Sequence, residues 1–130
     1  MSRSQRRKGQ VGEREAVAAL KKIGCLKASR RVRNSAGDSD IIDAIKGVSF
    51  ECKLEKVQAI APAMRQAIDQ ADGALPAVVH RQTVGRGQPA NPWCITVRLE
   101  DLPMLLHLYR LEMQDAEAEQ AVAATDDDGA

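Results

Sequence analysis

The sequence predicts one α/β domain built on a mixed sheet, and three observations carry the prediction. Residues 48–54 alternate, with Val48, Phe50, Cys52 and Leu54 on one face and Ser49, Glu51 and Lys53 on the other; this is the period of a strand. Short apolar runs at 40–45, 77–81 and 93–99 are bounded by turn residues. Segments 11–23, 57–71 and 102–113 have helical spacing or composition. The order is α-β-β-β-α-β-β-α, as in an α/β domain.

Each element has its own signal. Residues 1–9 lack apolar periodicity and read as a basic flexible arm. The first helix places Val11, Val17, Ala18, Leu20 and Ile23 near one face, and Gly24 stops it. Residues 27–33 read as a strand. Asn34-Ser-Ala-Gly-Asp38 is a turn signal, 40–45 a short apolar strand, and Lys46-Gly47 a tight hairpin turn into the alternating strand. The second helix, 57–71, has Pro62 near its first turn and is closed by Asp72-Gly73. Residues 77–81 read as a buried strand, 83–92 as a Gly/Pro-broken loop and 93–99 as another strand. Asp101 suits the cap of a helix from Leu102 to about Met113, with Pro103 tolerated early. The domain is therefore 10–113, followed by an acidic tail, 114–130, read as disordered after any extension of the last helix.

Composition removes several function classes. With 130 residues the chain holds one core. It has no apolar run of the ~20 residues that a bilayer-spanning helix requires. No apolar stretch follows the basic start, so a cytoplasmic protein with no membrane partner is expected. Cys25, Cys52 and Cys94 are far apart and form no C-x-x-C. Neither a zinc ribbon nor a disulfide framework is supported, and reduced, buried thiols are expected. The aromatics are Phe50, Trp93 and Tyr109, too few for a base-stacking platform.

The net charge of +1 hides segregation. Residues 1–33 carry eleven Lys/Arg against Glu13 and Glu15; residues 114–130 carry six acids and no base. A basic first quarter points to a polyanion partner. Arg6, Arg7, Lys8, Arg14, Arg30, Arg31, Arg33 and Arg81 are the candidate phosphate contacts.

The chemistry concentrates between Asp40 and Lys53. Glu51 and Lys53, two apart on a strand, share a face, and a hairpin brings Asp40 back beside Glu51. Such a pair suits an exposed ion-pair ladder. Taken alone, the E-x-K spacing favours that ladder. With its strand, hairpin and neighbouring-acid context it also suits a phosphodiester-cleaving site, in which Asp40 and Glu51 supply hard oxygen ligands for Mg²⁺ and Lys53 offsets transition-state charge. Asp38 lies in the preceding turn, and Asp43 should face away from Asp40; Asp40 is the favoured ligand.

These residues resemble the PD-(D/E)xK nuclease superfamily, and within it the small Holliday-junction-resolvase-like endonucleases, many of them from phages. The matching stretches are G-x-x-G-E at Gly9–Glu13, G-D-S-D-I-I around Asp40 and F-E-C-K at Phe50–Lys53. They continue with M-R-Q-A at Met64–Ala67, V-V-H-R at Val78–Arg81 and P-W at Pro92-Trp93. The likeness covers roughly residues 5–105, and Ser39 stands where the family name has proline.

The resemblance implies a restriction-endonuclease-like α-β-β-β-α-β core. It implies Asp40 and Glu51 as metal-binding carboxylates, with Glu13 as an additional acid on metal or water. Lys53 is implied as the catalytic lysine and Gln66 as the glutamine beside the site. The cofactor would be Mg²⁺, with Mn²⁺ as a substitute, and the partner branched DNA such as a four-way junction, cut by a homodimer in a bacterial or phage-infected cytoplasm. A nicking or restriction-like nuclease on the same fold, and a non-catalytic nucleic-acid-binding module, are the alternatives.

The remaining residues read as structural. His80 and His107 are expected to be structural histidines and Trp93 to pack in the core. The stripe Leu102, Leu105, Leu106, Leu108, Tyr109 and Met113 is expected to complete the core or a dimer interface.

Overall fold

A computed structural model describes residues 3–31 and 40–128, with side chains described from Gly9 to Ala124 within them. Arg33, Asp38 and the Asn34–Asp38 turn lie outside the described residues, and so do the side chains of Arg6, Arg7 and Lys8.

The order of elements is the expected one: α1 (Arg3–Lys22), β1 (Ser29–Arg30), β2 (Ile41–Ile42), β3 (Val48–Glu55), α2 (Ile60–Ala71), β4 (Leu75–Gln82), β5 (Cys94–Thr96), and α3 (Leu102–Asp128) after a 3₁₀ turn at Leu99–Asp101. The five strands form one open sheet in the order β1-β2-β3-β4-β5. Only β3 and β4 pair in parallel, joined by α2 as a crossover; the other neighbours are antiparallel. The protein is thus α/β with a mixed sheet flanked by helices.

Alternation along β3 decides what each layer covers. Phe50 and Ile41 are buried in one cluster with Ala16 and Leu20 of α1, Ala77 and Val79 of β4, and Leu105 of α3. On the other face Val78 packs with Ala63 and Ala67 of α2. Pro76 is tolerated within β4 because β5 pairs only with Val78–His80 and leaves the strand's start an edge.

Several boundaries move for physical reasons. Helix α1 begins at Arg3 rather than Val11, so its backbone carries the residues expected as a flexible arm. Its buried face is Gly12, Ala16 and Leu20 at four-residue spacing, whereas Val11, Ala18 and Ile23 are exposed. Small residues face the sheet because the helix sits close to it. β2 ends after Ile42 because Asp43 adopts φ 62°, a left-handed conformation that aspartate tolerates. The turn into β3 closes where Val48 N–H donates to Ile45 O at 3.1 Å, with Gly47 at φ 91°. Helix α2 starts at Ile60, not Val57, because the Gln58 side chain donates to Glu55 O and Arg81 O and pins the connector.

Helix α3 runs on to Asp128 rather than stopping near Met113, as its Ala, Glu and Gln content favours. Leu105 is buried, and Leu108, Tyr109 and Met113 pack on the core. Leu102 and Leu106, at 43% and 47%, stay exposed. His107 and Cys94 are exposed, against expectation; Cys25 is buried and Cys52 half-buried. No described helix is long and apolar enough to cross a membrane.

Candidate active site

The site forms where β2 meets β3. Ile41 pairs with Phe50, which sets Asp40 directly across from Glu51, and Asp40 N–H donates to Phe50 O at 3.1 Å. Residues facing each other across antiparallel strands share a sheet face. Asp40 has a local structural task too. β2 does not extend to cover Cys52, so the Asp40 carboxylate takes the place of the next backbone acceptor and receives Cys52 N–H at 3.0 Å. That bond fixes one of its oxygens.

Glu51 is the unusual residue. It is 2% exposed, a carboxyl group inside the sheet where α2 covers its face. Its Oε1 is buried and has no hydrogen-bond partner among the described residues. The carboxyl is pushed up to about 8, first by burial, then by the Asp40 charge and a hydrogen bond with Asp40; Lys53 pulls it back in part. Two carboxyls this close favour sharing a proton over both ionising.

Lys53 lies on the same face, two residues on. Its Nζ donates to Gln66 Oε1 on α2 at 3.0 Å, so the crossover helix holds the ammonium beside the carboxyl pair. The structure therefore brings Asp40, Glu51, Lys53 and Gln66 together. Asp43 is exposed and lies beyond β2.

Glu13 reaches the same region from the opposite layer, on α1. Its Oε2 is 4.0 Å from Arg30 Nε. Burial first, and then the Asp40 charge, raise its pKa, while Arg30 lowers it. Its charge in turn acts on Glu51. Yet among the described residues no three His, Cys, Asp or Glu side chains gather into a preformed metal cage. Glu13 is thus coupled to the pair electrostatically without joining it as a third ready ligand.

A hard divalent cation fits this arrangement. Mg²⁺ is commonly held by one or two carboxylates with waters and substrate phosphates completing its shell. A buried carboxylate oxygen lacking a partner, beside a second carboxylate, is the donor set it takes.

The candidate phosphate contacts divide. Arg14 is exposed on α1. Arg31 is half-buried, and its N–H donates to Asp40 O at 3.1 Å. Arg30 faces Glu13. Arg81 is occupied: its guanidinium is hydrogen-bonded to Glu15 of α1 and lies 5.1 Å from the centroid of the Trp93 ring. Glu15 and this stacking role of Trp93 escaped the sequence reading. Their signal was an acid two residues after Glu13 and a lone tryptophan across a loop from Arg81, which only the fold makes meaningful.

His80 is the register partner of Lys53 on β4, and its Nε2 is 2.9 Å from Thr96 Oγ1. Burial lowers its pKa, which fits a structural histidine. No protein-family model, curated protein or solved structure matches the chain.

Proposed function

We propose that this protein is a Mg²⁺-dependent DNA endonuclease with a restriction-endonuclease-like core, and that its substrate is branched DNA of the four-way-junction type, cut by a homodimer. One observation carries the reading: Glu51, buried, with an unpartnered oxygen, directly across from Asp40 and beside Lys53. A buried carboxyl beside a half-buried one opposes folding unless something offsets it, so its presence calls for a function. An ion-pair ladder on a solvated face would leave Glu51 exposed.

The chain's own residues divide the work. Asp40 and Glu51 would hold the cation. When bound, Mg²⁺ polarises the scissile phosphate and acidifies a water for in-line attack. Lys53 offers three N–H donors to the charge that builds on the phosphate oxygens. Gln66 keeps that ammonium in place at 3.0 Å. Glu13 adds negative charge from α1 and steadies the cation's electrostatic surroundings. Arg6, Arg7, Lys8 and Arg14 lie on the helix that bears Glu13, and hold the DNA backbone without reading bases.

The test is cleavage of a labelled four-way junction, linear duplex and single strand, with Mg²⁺ or EDTA, by wild type and Glu51→Gln. The reading expects cutting of the junction alone, only with Mg²⁺, and a variant that binds but does not cut. Cutting of all three substrates removes the junction preference and leaves the hydrolase. Junction binding with no cutting replaces the enzyme by a binding module.

A further inference from the structure

We propose that Gly12 and Arg81 are positioning residues that seat helix α1 on the sheet and so set how closely Glu13 approaches the Asp40–Glu51 pair. The proposal rests on the hydrolytic reading of that pair, and its geometry is independent of the substrate.

Gly12 is buried and points straight at β3. A Cβ built on it would lie 2.9 Å from the Cβ of Leu54. Both atoms are fixed to backbone, so relief requires the helix or the strand to move. Glycine inside a helix weakens it; at position 12 only glycine allows this depth.

At 100° per residue, the neighbours of Gly12 fall on opposite flanks of the contact. Glu13 turns toward the β1–β2 side, where Arg30 Nε is 4.0 Å away. Glu15 turns toward β4, where it takes the Arg81 guanidinium, which also lies over the Trp93 ring. The helix is thus pinned beneath by Gly12 on Leu54 and held on one flank by Glu15–Arg81. The other flank carries Glu13 to the edge of the site.

Glu13 is coupled to Asp40 and Glu51 through space and is not part of a closed cage. Its influence therefore varies with helix depth and roll. A Cβ at position 12 lifts the helix; loss of the Arg81 clasp lets it roll. Arg81, bonded on one side and stacked on the other, acts through Glu13 and does not touch phosphate.

Gly9 provides a matched control. It lies on the same helix one turn earlier, and a Cβ there meets nothing within 4 Å. The experiment compares Gly12→Ala, Arg81→Gln and Gly9→Ala, each alone and with Glu13→Gln. It follows junction cleavage, the melting temperature, and the rise in melting temperature that Mn²⁺ causes without DNA. It also follows the salt dependence of junction binding in EDTA.

Gly12→Ala and Arg81→Gln should lower kcat tenfold or more with little change in KM, and shrink the Mn²⁺-induced rise. Neither should lower kcat further in the Glu13→Gln background. Gly9→Ala should match wild type. Arg81→Gln should leave the salt slope unchanged.

Full losses on top of Glu13→Gln overturn the proposal, as does an equal loss in Gly9→Ala. A salt slope reduced by about 0.9 in Arg81→Gln makes that residue a phosphate contact instead. If Gly12→Ala fails to fold, Arg81→Gln carries the test alone. If wild type cuts no DNA, the hydrolase reading falls while the Mn²⁺-induced rise still judges the seat. Equal rises in all variants, or none in any, overturn it.

Discussion

Replacing Glu51 by glutamine should stabilise the metal-free protein in alkaline solution and do little in acid. The folded protein holds the Glu51 proton up to about 8, against an ordinary 4.5. Over that window the folded state binds more protons than the unfolded chain, so stability falls as pH rises. The loss begins near 4.5 and is complete once pH passes about 8. Each pH unit of separation is worth about 1.4 kcal/mol. The ionised carboxylate therefore opposes folding by about 5 kcal/mol at pH 9.

Glutamine keeps the shape, donates to Asp40 and carries no charge. It should recover about 2–5 kcal/mol at pH 9 and almost nothing at pH 4.5, the range reflecting how much of the opposition is mutual with Asp40. The assay is urea unfolding in EDTA at pH 4.5, 7 and 9. Adding Mg²⁺ at pH 9 should stabilise wild type and leave the variant unmoved, by mass action on the folded state. Equal pH dependence in the two proteins would refute the reasoning, since Glu51 would then titrate as an ordinary surface acid.

Three further outcomes are expected. Lys53→Ala should reduce cleavage by about 10²–10³ while junction binding in EDTA persists, as a gel-shift titration would show. Phe50→Ala removes the ring at the centre of the sheet's α1 face and should cost about 3–5 kcal/mol in urea unfolding; a smaller loss would mean the layer closes over the gap. Lys27→Ala breaks a 2.6 Å ion pair with Glu119 whose two side chains are both largely exposed. It should leave the unfolding midpoint where it is.

The sheet was legible because its signals are local. Alternation from Val48 to Leu54 fixed which residues face the main core, and the turn at Lys46-Gly47 fixed the direction of return. The lengths were less legible. β2 is cut short by Asp43 in a left-handed conformation, a choice aspartate permits without requiring. The start of α2 is set by Gln58 bonding to two carbonyls on different strands, a tertiary event with no mark in the run 57–60. The face of α1 was legible only in part: Val17 and Leu20 pack on the core as expected, while Val11, Ala18 and Ile23 are exposed. Apolar side chains suggested one stripe, but the close approach to β3 selected Gly12, Ala16 and Leu20, and size counted for more than hydrophobicity.

The candidate site splits along the same line. Asp40, Glu51 and Lys53 follow from strand period and antiparallel register, so their convergence could be anticipated from spacing. The burial of Glu51 could not, because it depends on α2 closing over the face that Ser49 and Glu51 share. That burial changes the chemistry. On an open face Glu51 would be an ordinary acid; under α2, burial and the Asp40 charge raise its pKa, and one of its oxygens has no partner among the described residues. Glu13 sits at the other extreme. Sequence places it on a helix, but the depth of that helix depends on a glycine packed against Leu54 and an arginine shared by Glu15 and Trp93. On the proposed reading, strand geometry therefore supplies the reacting groups, and helix docking sets the charge they feel. The same reading expects a substitution in α1 to alter cleavage without touching any residue of β2 or β3.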